Sequence, residues 1–186
     1  MGLALGVGRA EVASIPLAAR LAMAAVHATS AWLFAGRAPA VANGDARALA
    51  SALPSLVLSG VAFRLGASVL DGGWLALFVA GAVGTCASLL ALGRSFAIFA
   101  ARRELVSEGP YRWVRHPAYA CEIMAIGAVA GAGTARVGWA VSAAITVATV
   151  LSVMWRIAEE ERLLAADARY GSYRERVRWR LLPGLW

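Results

Sequence analysis

The sequence predicts an all-α integral membrane protein with about five transmembrane helices. Three observations lead there. Of 186 residues, 60% are apolar and only 16% charged, and the mean hydropathy is strongly positive. Five apolar stretches are long enough to cross a bilayer. The basic residues, all of them Arg, gather in alternate connections between those stretches.

Taken in order, Met1 to Glu11 reads as a short tail, without the basic region, short apolar core and small-residue cleavage site of a signal peptide. The first span, 12–34, carries Arg20 and His27, and the second, 49–68, carries Pro54 and Arg64. Arginines at such places extend along the helix to reach an interface. The third span, 73–92, and the fifth, 137–157, are clean. The fourth covers 117–134, and a short connection around Ala132 to Gly138 makes the last two spans antiparallel neighbours.

Arg37 and Arg47 fall in the first connection, Arg94 to Arg115 in the third, and the series from Arg156 in the C-terminal segment. The positive-inside rule therefore puts the N-terminus outside and the C-terminus in the cytoplasm, in a bacterial inner (plasma) membrane. The formal charge of +7 borders the membrane instead of forming an aromatic-interleaved stripe. It suits anionic lipid headgroups and excludes nucleic acid as a partner. Cys86 and Cys121 have no metal-ligand spacing, so no metal site is expected. Gly81, Gly84, Gly127 and Gly131 offer small faces for helix contact, and no feature fixes an oligomeric state.

Composition divides the chain. Residues 1–93 read as a transmembrane scaffold, whereas 94–186 hold most of the charge, in two segments joined by one helical hairpin. Those segments meet on one membrane face. Gly109-Pro110 marks a turn, and Pro117 suits the first position of a helix, which makes His116 its cap. Arg112 and Arg115 add positive charge beside that helix end, while Tyr119 lies one turn further on the side of His116. An interfacial belt of Tyr, Trp and Arg is the plainer reading of the same residues. Arg156 and Glu160, four apart, share a helix face at the membrane boundary. Glu159 and Glu161 read instead as part of a solvated stalk. From Tyr170 to Trp186 the chain suggests an amphipathic segment that lies on the headgroups or folds back as a lid.

The run GPYRWVRHPAY, followed after one hairpin by Arg156, Glu160-Glu161, Tyr173, Arg176 and Pro183-Gly184, resembles the isoprenylcysteine carboxyl methyltransferase family and the related phospholipid methyltransferases. The likeness covers about residues 94–186. It implies a membrane enzyme whose C-terminal half forms a cytoplasmic pocket for S-adenosylmethionine and admits a lipophilic acceptor from the bilayer. Carried onto this sequence, the family's cofactor contacts fall on Arg103, Glu104, Leu105 and Val106, on Tyr111, on His116, Pro117, Ala118 and Tyr119, and on Glu160. Arg156 matches the acceptor-orienting arginine. The family's upstream cofactor glutamine has no match near Phe96. Arg115 joins the helix end as a partner for the cofactor's carboxylate, and Arg156 and Glu160 are the expected catalytic pair. Carboxylate O-methylation is favoured, since Arg156 can orient a carboxylate and no base is then needed; an amine or phenol acceptor would have to lose a proton, with Glu160 or His116 as the candidate base. The competing functions are a sterol-reductase-like NADPH enzyme and a non-catalytic membrane scaffold.

Overall fold

A computed structural model describes residues 13–40, 44–97, 104–184 and 186. Among the described residues the regular structure is all helical, with helices α1 (Leu17–Gly36), α2 (Ala46–Gly66), α3 (Gly72–Leu92), α4 (Pro117–Val137), α5 (Trp139–Leu164) and α6 (Ala168–Arg176). The first five are long and apolar enough to cross a membrane. Their outward surfaces, at Leu53, Val57, Val147 and Leu151 for instance, leave large apolar side chains uncovered, as hydrocarbon solvent permits. This is an integral membrane protein.

Two connections differ from expectation. α4 runs on to Val137, so Gly138 alone, at φ +81°, turns the chain into α5. α5 continues to Leu164, seven residues past the expected end at 157, because Ile157 to Leu164 keeps strong helix formers with buried partners. The longer α5 is what carries Glu160 and Glu161 on a rigid helix.

α4 is the hub, packed against α2, α3 and α5, while α1 leans on α3. The end of α1 meets the end of α3 through the Ala38 N–H bond to the Arg94 carbonyl, 3.0 Å. The start of α2 meets the end of α5 through Arg47 and Glu159, 3.1 Å. These ends, with the start of α4, therefore share one Arg-rich face. Toward the opposite face Ala62, Phe78, Ile126, Val129 and Ala132 form a buried apolar core.

Close approach is set by glycine. A Cβ on Gly66 would sit 1.9 Å from the Val129 carbonyl oxygen, and Gly81 and Gly84 lie similarly tight on α4 at Ala125 and Cys121. Gly131 receives the Trp74 ring, but Gly127 faces nothing within 4 Å, so the expected contact role of that glycine is not realised. Gly66→Ala should force α2 and α4 apart and cost about 1–3 kcal/mol or more, whereas Gly127→Ala should be close to neutral. Thermal unfolding midpoints of the detergent-purified variants check both.

Candidate functional site

The third connection enters the site through a 3₁₀ turn, Gly109–Arg112, with Gly109 at φ +59°. It then reaches His116, which caps α4 with Pro117 in the first helical position. The His116 and Tyr119 rings stack at 5.8 Å between centroids. Facing them from α5, Glu160 Oε1 accepts the Tyr119 hydroxyl at 2.5 Å, and Glu160 Oε2 lies 3.5 Å from His116 Nδ1. The Arg156 guanidinium lies 5.0 Å over the Tyr119 ring and donates to Ser55 Oγ at 3.4 Å.

Glu161 faces the other way. Its Oε1 accepts from Arg115 Nε at 2.8 Å and from His116 Nε2 at 3.2 Å, and its Oε2 accepts from Arg180 at 2.9 Å. Arg115 also donates to the carbonyls of Val177 and Arg178. The C-terminal segment is thereby folded back, with the N–H groups of Arg115 and His116 bonded to the Trp179 and Arg180 carbonyls. Tyr173 donates to the Tyr111 carbonyl at 2.8 Å. Glu159 and Glu161 are thus no solvated stalk. They are 4% and 8% exposed, the former held by Arg47 and Arg162. Local spacing along α5 shows only an exposed-looking run of acids, because the partners that bury them lie far away in sequence.

These groups surround a cavity of about 760 Å³. At its polar end Glu104, Leu105 and Val106 line it, with Tyr111, Arg115 and His116. Ala118, Tyr119, Arg156 and Glu160 continue the wall, and Tyr170 and Tyr173 close it from α6. Pro117 is buried at the start of α4 and is not among the residues lining the cavity. Arg103 lies outside the described residues. Deeper in the bundle the lining becomes apolar at Phe63, Phe78, Ile126 and Val129, the upper surface of the core. No group of acids, His and Cys suited to a metal ion occurs among the described residues.

Sequence reasoning passed over Glu122, Ser55 and Ser59. Glu122, on α4, also lines the cavity. Its signal was available, since an acid inside an apolar span is costly unless it serves something.

Electrostatics at the polar end follow from this geometry. Burial opposes charge on His116, but Glu160 and Glu161 on its two ring nitrogens outweigh that and raise its pKa above the ordinary histidine value. Burial likewise pushes up the Tyr111 and Tyr173 phenols, the latter to about 12, so both stay neutral.

Residues 74–166, half of the chain, match the isoprenylcysteine carboxyl methyltransferase (ICMT) family. The chain belongs to that family. The match opens in α3, takes in the whole α4–α5 hairpin and stops before α6. It makes this membrane protein a member of a methyltransferase family. No curated protein matches the sequence.

Removing Glu161 would strand Arg115, 7% exposed, and His116 without their carboxylate. Glu161→Ala should therefore cost about 3–5 kcal/mol, read as a lowered unfolding midpoint and as protease cleavage between residues 165 and 180. His116 adds a pH dependence. Its folded pKa is raised, so its stabilisation is complete below the unfolded value of about 6.5 and is lost as pH climbs through the folded value. Unfolding midpoints should fall across the range above pH 6.5, and His116→Gln should flatten that slope.

Proposed function

We propose that this ICMT-family protein transfers a methyl group from S-adenosylmethionine to a lipophilic acceptor that reaches the cavity from the bilayer. The observation that carries this reading is one continuous cavity whose polar end holds Tyr119, His116 and Glu160 while its inner end is lined by apolar residues of the spanning helices. Its volume falls within the usual range for small-molecule sites.

The residues present fit the cofactor. Glu160 is a carboxylate pinned by Tyr119 and His116, suited to an ammonium or a sulfonium. Tyr111, Tyr119 and Tyr173 bring neutral rings to the same wall, which can face a cation. His116 and Arg115 supply positive charge for a carboxylate, although three Arg115 donor contacts already go to Glu161, Val177 and Arg178. When bound, S-adenosylmethionine supplies an activated methyl group on a positively charged sulfur.

The protein's own task is then to hold the acceptor in line and keep water out. Arg156, inward of Glu160 and against the Tyr119 ring, is placed to orient the acceptor's reacting head group. A carboxylate head would meet it with two parallel hydrogen bonds and need no base. Tyr170 and Tyr173, buried under the folded-back C-terminal segment, shield the polar end. The Arg-rich face is the cytoplasmic one in this reading, so the cofactor enters from the cytoplasm.

Calorimetric titration of the detergent-purified protein with S-adenosylhomocysteine tests the assignment. Binding is expected, weakened tenfold or more in Glu160→Ala, while NADPH should give no heat. Binding of NADPH alone would replace the methyltransferase by a reductase, and binding of neither would leave a membrane scaffold.

A further inference from the structure

The family match begins at residue 74, so the wall that α1 and α2 give the cavity lies outside it. Met23 and His27 on α1, and Leu56 and Gly60 on α2, are four apart within each helix and therefore share a face of it. All four line the cavity. Yet His27 and Gly60 are also exposed, and Leu56 is 46% exposed. Residues that belong at once to a cavity wall and to the outer surface mark its mouth.

The packing explains why the bundle is open there. α1 packs along α3, and α2 along α4 and α5, but α1 and α2 do not pack along each other. Six residues beyond Gly60, Gly66 is pressed against the Val129 carbonyl, and Ala19 and Ala62 join one core, which closes the gap away from the Arg-rich face. At Gly60 itself an added Cβ would meet nothing within 4 Å among the described residues. His27 does not fill the space, because its Nδ1 donates to the Met23 carbonyl at 2.8 Å and ties the ring along its own helix.

The level of this mouth decides what it faces. His27 lies nine residues from the end of α1 at Gly36, and Leu56 lies ten from the start of α2 at Ala46. Both are roughly 14–15 Å in from the Arg-rich face at 1.5 Å per residue, about half way across a hydrocarbon layer of about 30 Å. The mouth therefore opens onto acyl chains and not onto headgroups. Arg156 donates to Ser55, the residue before Leu56, so the acceptor-orienting guanidinium stands at the same level.

We propose that the acceptor's hydrocarbon tail leaves the cavity through this gap, over Gly60, and stays in the bilayer while its carboxylate is held at Arg156. The assignment rests on the methyltransferase reading and narrows the acceptor to membrane-anchored carboxylates with no upper limit of chain length. Gly60 sets that tolerance by placing no side chain in the opening. A closed pocket would behave differently. Its α4 wall runs from His116 to Val129, thirteen residues, or roughly 20 Å at 1.5 Å per residue. A 22-carbon chain extends about 26 Å, at about 1.25 Å for each tetrahedral C–C bond, and cannot lie straight inside it.

Laurate, palmitate and docosanoate in mixed micelles, with labelled S-adenosylmethionine, test the proposal on wild type, G60A and G60W. Wild type should methylate palmitate and docosanoate with kcat/KM values within about threefold of each other, because the added carbons lie in lipid and gain no contact. G60W should lower transfer to docosanoate and palmitate about tenfold or more, and to laurate least. S-adenosylhomocysteine affinity should stay within about twofold of wild type, since the obstruction touches the acceptor only. G60A, whose methyl group does not span the gap, should follow wild type. Should G60W fail to fold, L56W obstructs the same mouth from the preceding turn, and the same graded loss is required of it. Docosanoate transfer equal in wild type and the obstructed variant, or a wild-type cut-off between palmitate and docosanoate, overturns the proposal. So does an equal loss for all three acids in the obstructed variant, or wild type that binds S-adenosylhomocysteine and methylates none of them. Failure of the wild type to bind S-adenosylhomocysteine sinks the methyltransferase reading, and this assignment with it.

Discussion

The structure depends on one buried carboxylate. Glu161 collects Arg115, His116 and Arg180 on its two oxygens, and those three residues belong to the third connection, the cap of α4 and the returning C-terminal segment. Each cation would be expensive to bury alone, and the carboxylate would be equally expensive without them. The fold is stable at this end only when all three segments arrive together. That is why a region rich in loops and charge can close over this end of the bundle.

The core and the cavity divide the bundle along the membrane normal. Toward the face away from the arginines, small residues let α2, α3 and α4 approach until nothing larger fits, as at Gly66 and Gly81. Toward the Arg-rich face the side chains lining the gap are Tyr, His, Glu and Arg, which cannot be close-packed without burying unpaired polar atoms. The helices stay apart there, and the space is graded from charged to apolar. A molecule with a polar head and a hydrocarbon body matches that gradient in both its parts.

Much of this was legible in the sequence. Hydropathy and the Arg pattern located five spans and their common charged face, and Pro117 marked the start of α4 and so placed His116 and Tyr119. The Arg156 and Glu160 spacing, read as one helix face, led to the same cavity. Other features were hidden because they are relations between distant residues. Glu161 looks no different from Glu159 until Arg180 folds back, and Gly66 looks like a helix terminus until Val129 is set against it. Gly127 shows the converse error, since its spacing to Gly131 fits a packing motif although α4 presents it to open space. Glu122 was visible as a lone acid in an apolar span, but only the fold sets it on the cavity wall.

The clamp and the chemistry meet at His116. Consecutive residues on a helix project about 100° apart, so Glu160 and Glu161 leave α5 in different directions, and the imidazole lies between them with one nitrogen toward each. Glu161, fixed by two arginines, fixes the ring, and the ring together with Tyr119 fixes Glu160. The carboxylate assigned to the donor is therefore aimed by contacts that originate in the C-terminal segment, well outside the cavity. Loss of Arg180 would remove no group that touches a bound molecule, yet it would free one Glu161 oxygen and with it the orientation of His116. Order at the tail is in this way converted into precision at Glu160, and a site at the edge of a membrane gains the rigidity that positioning requires.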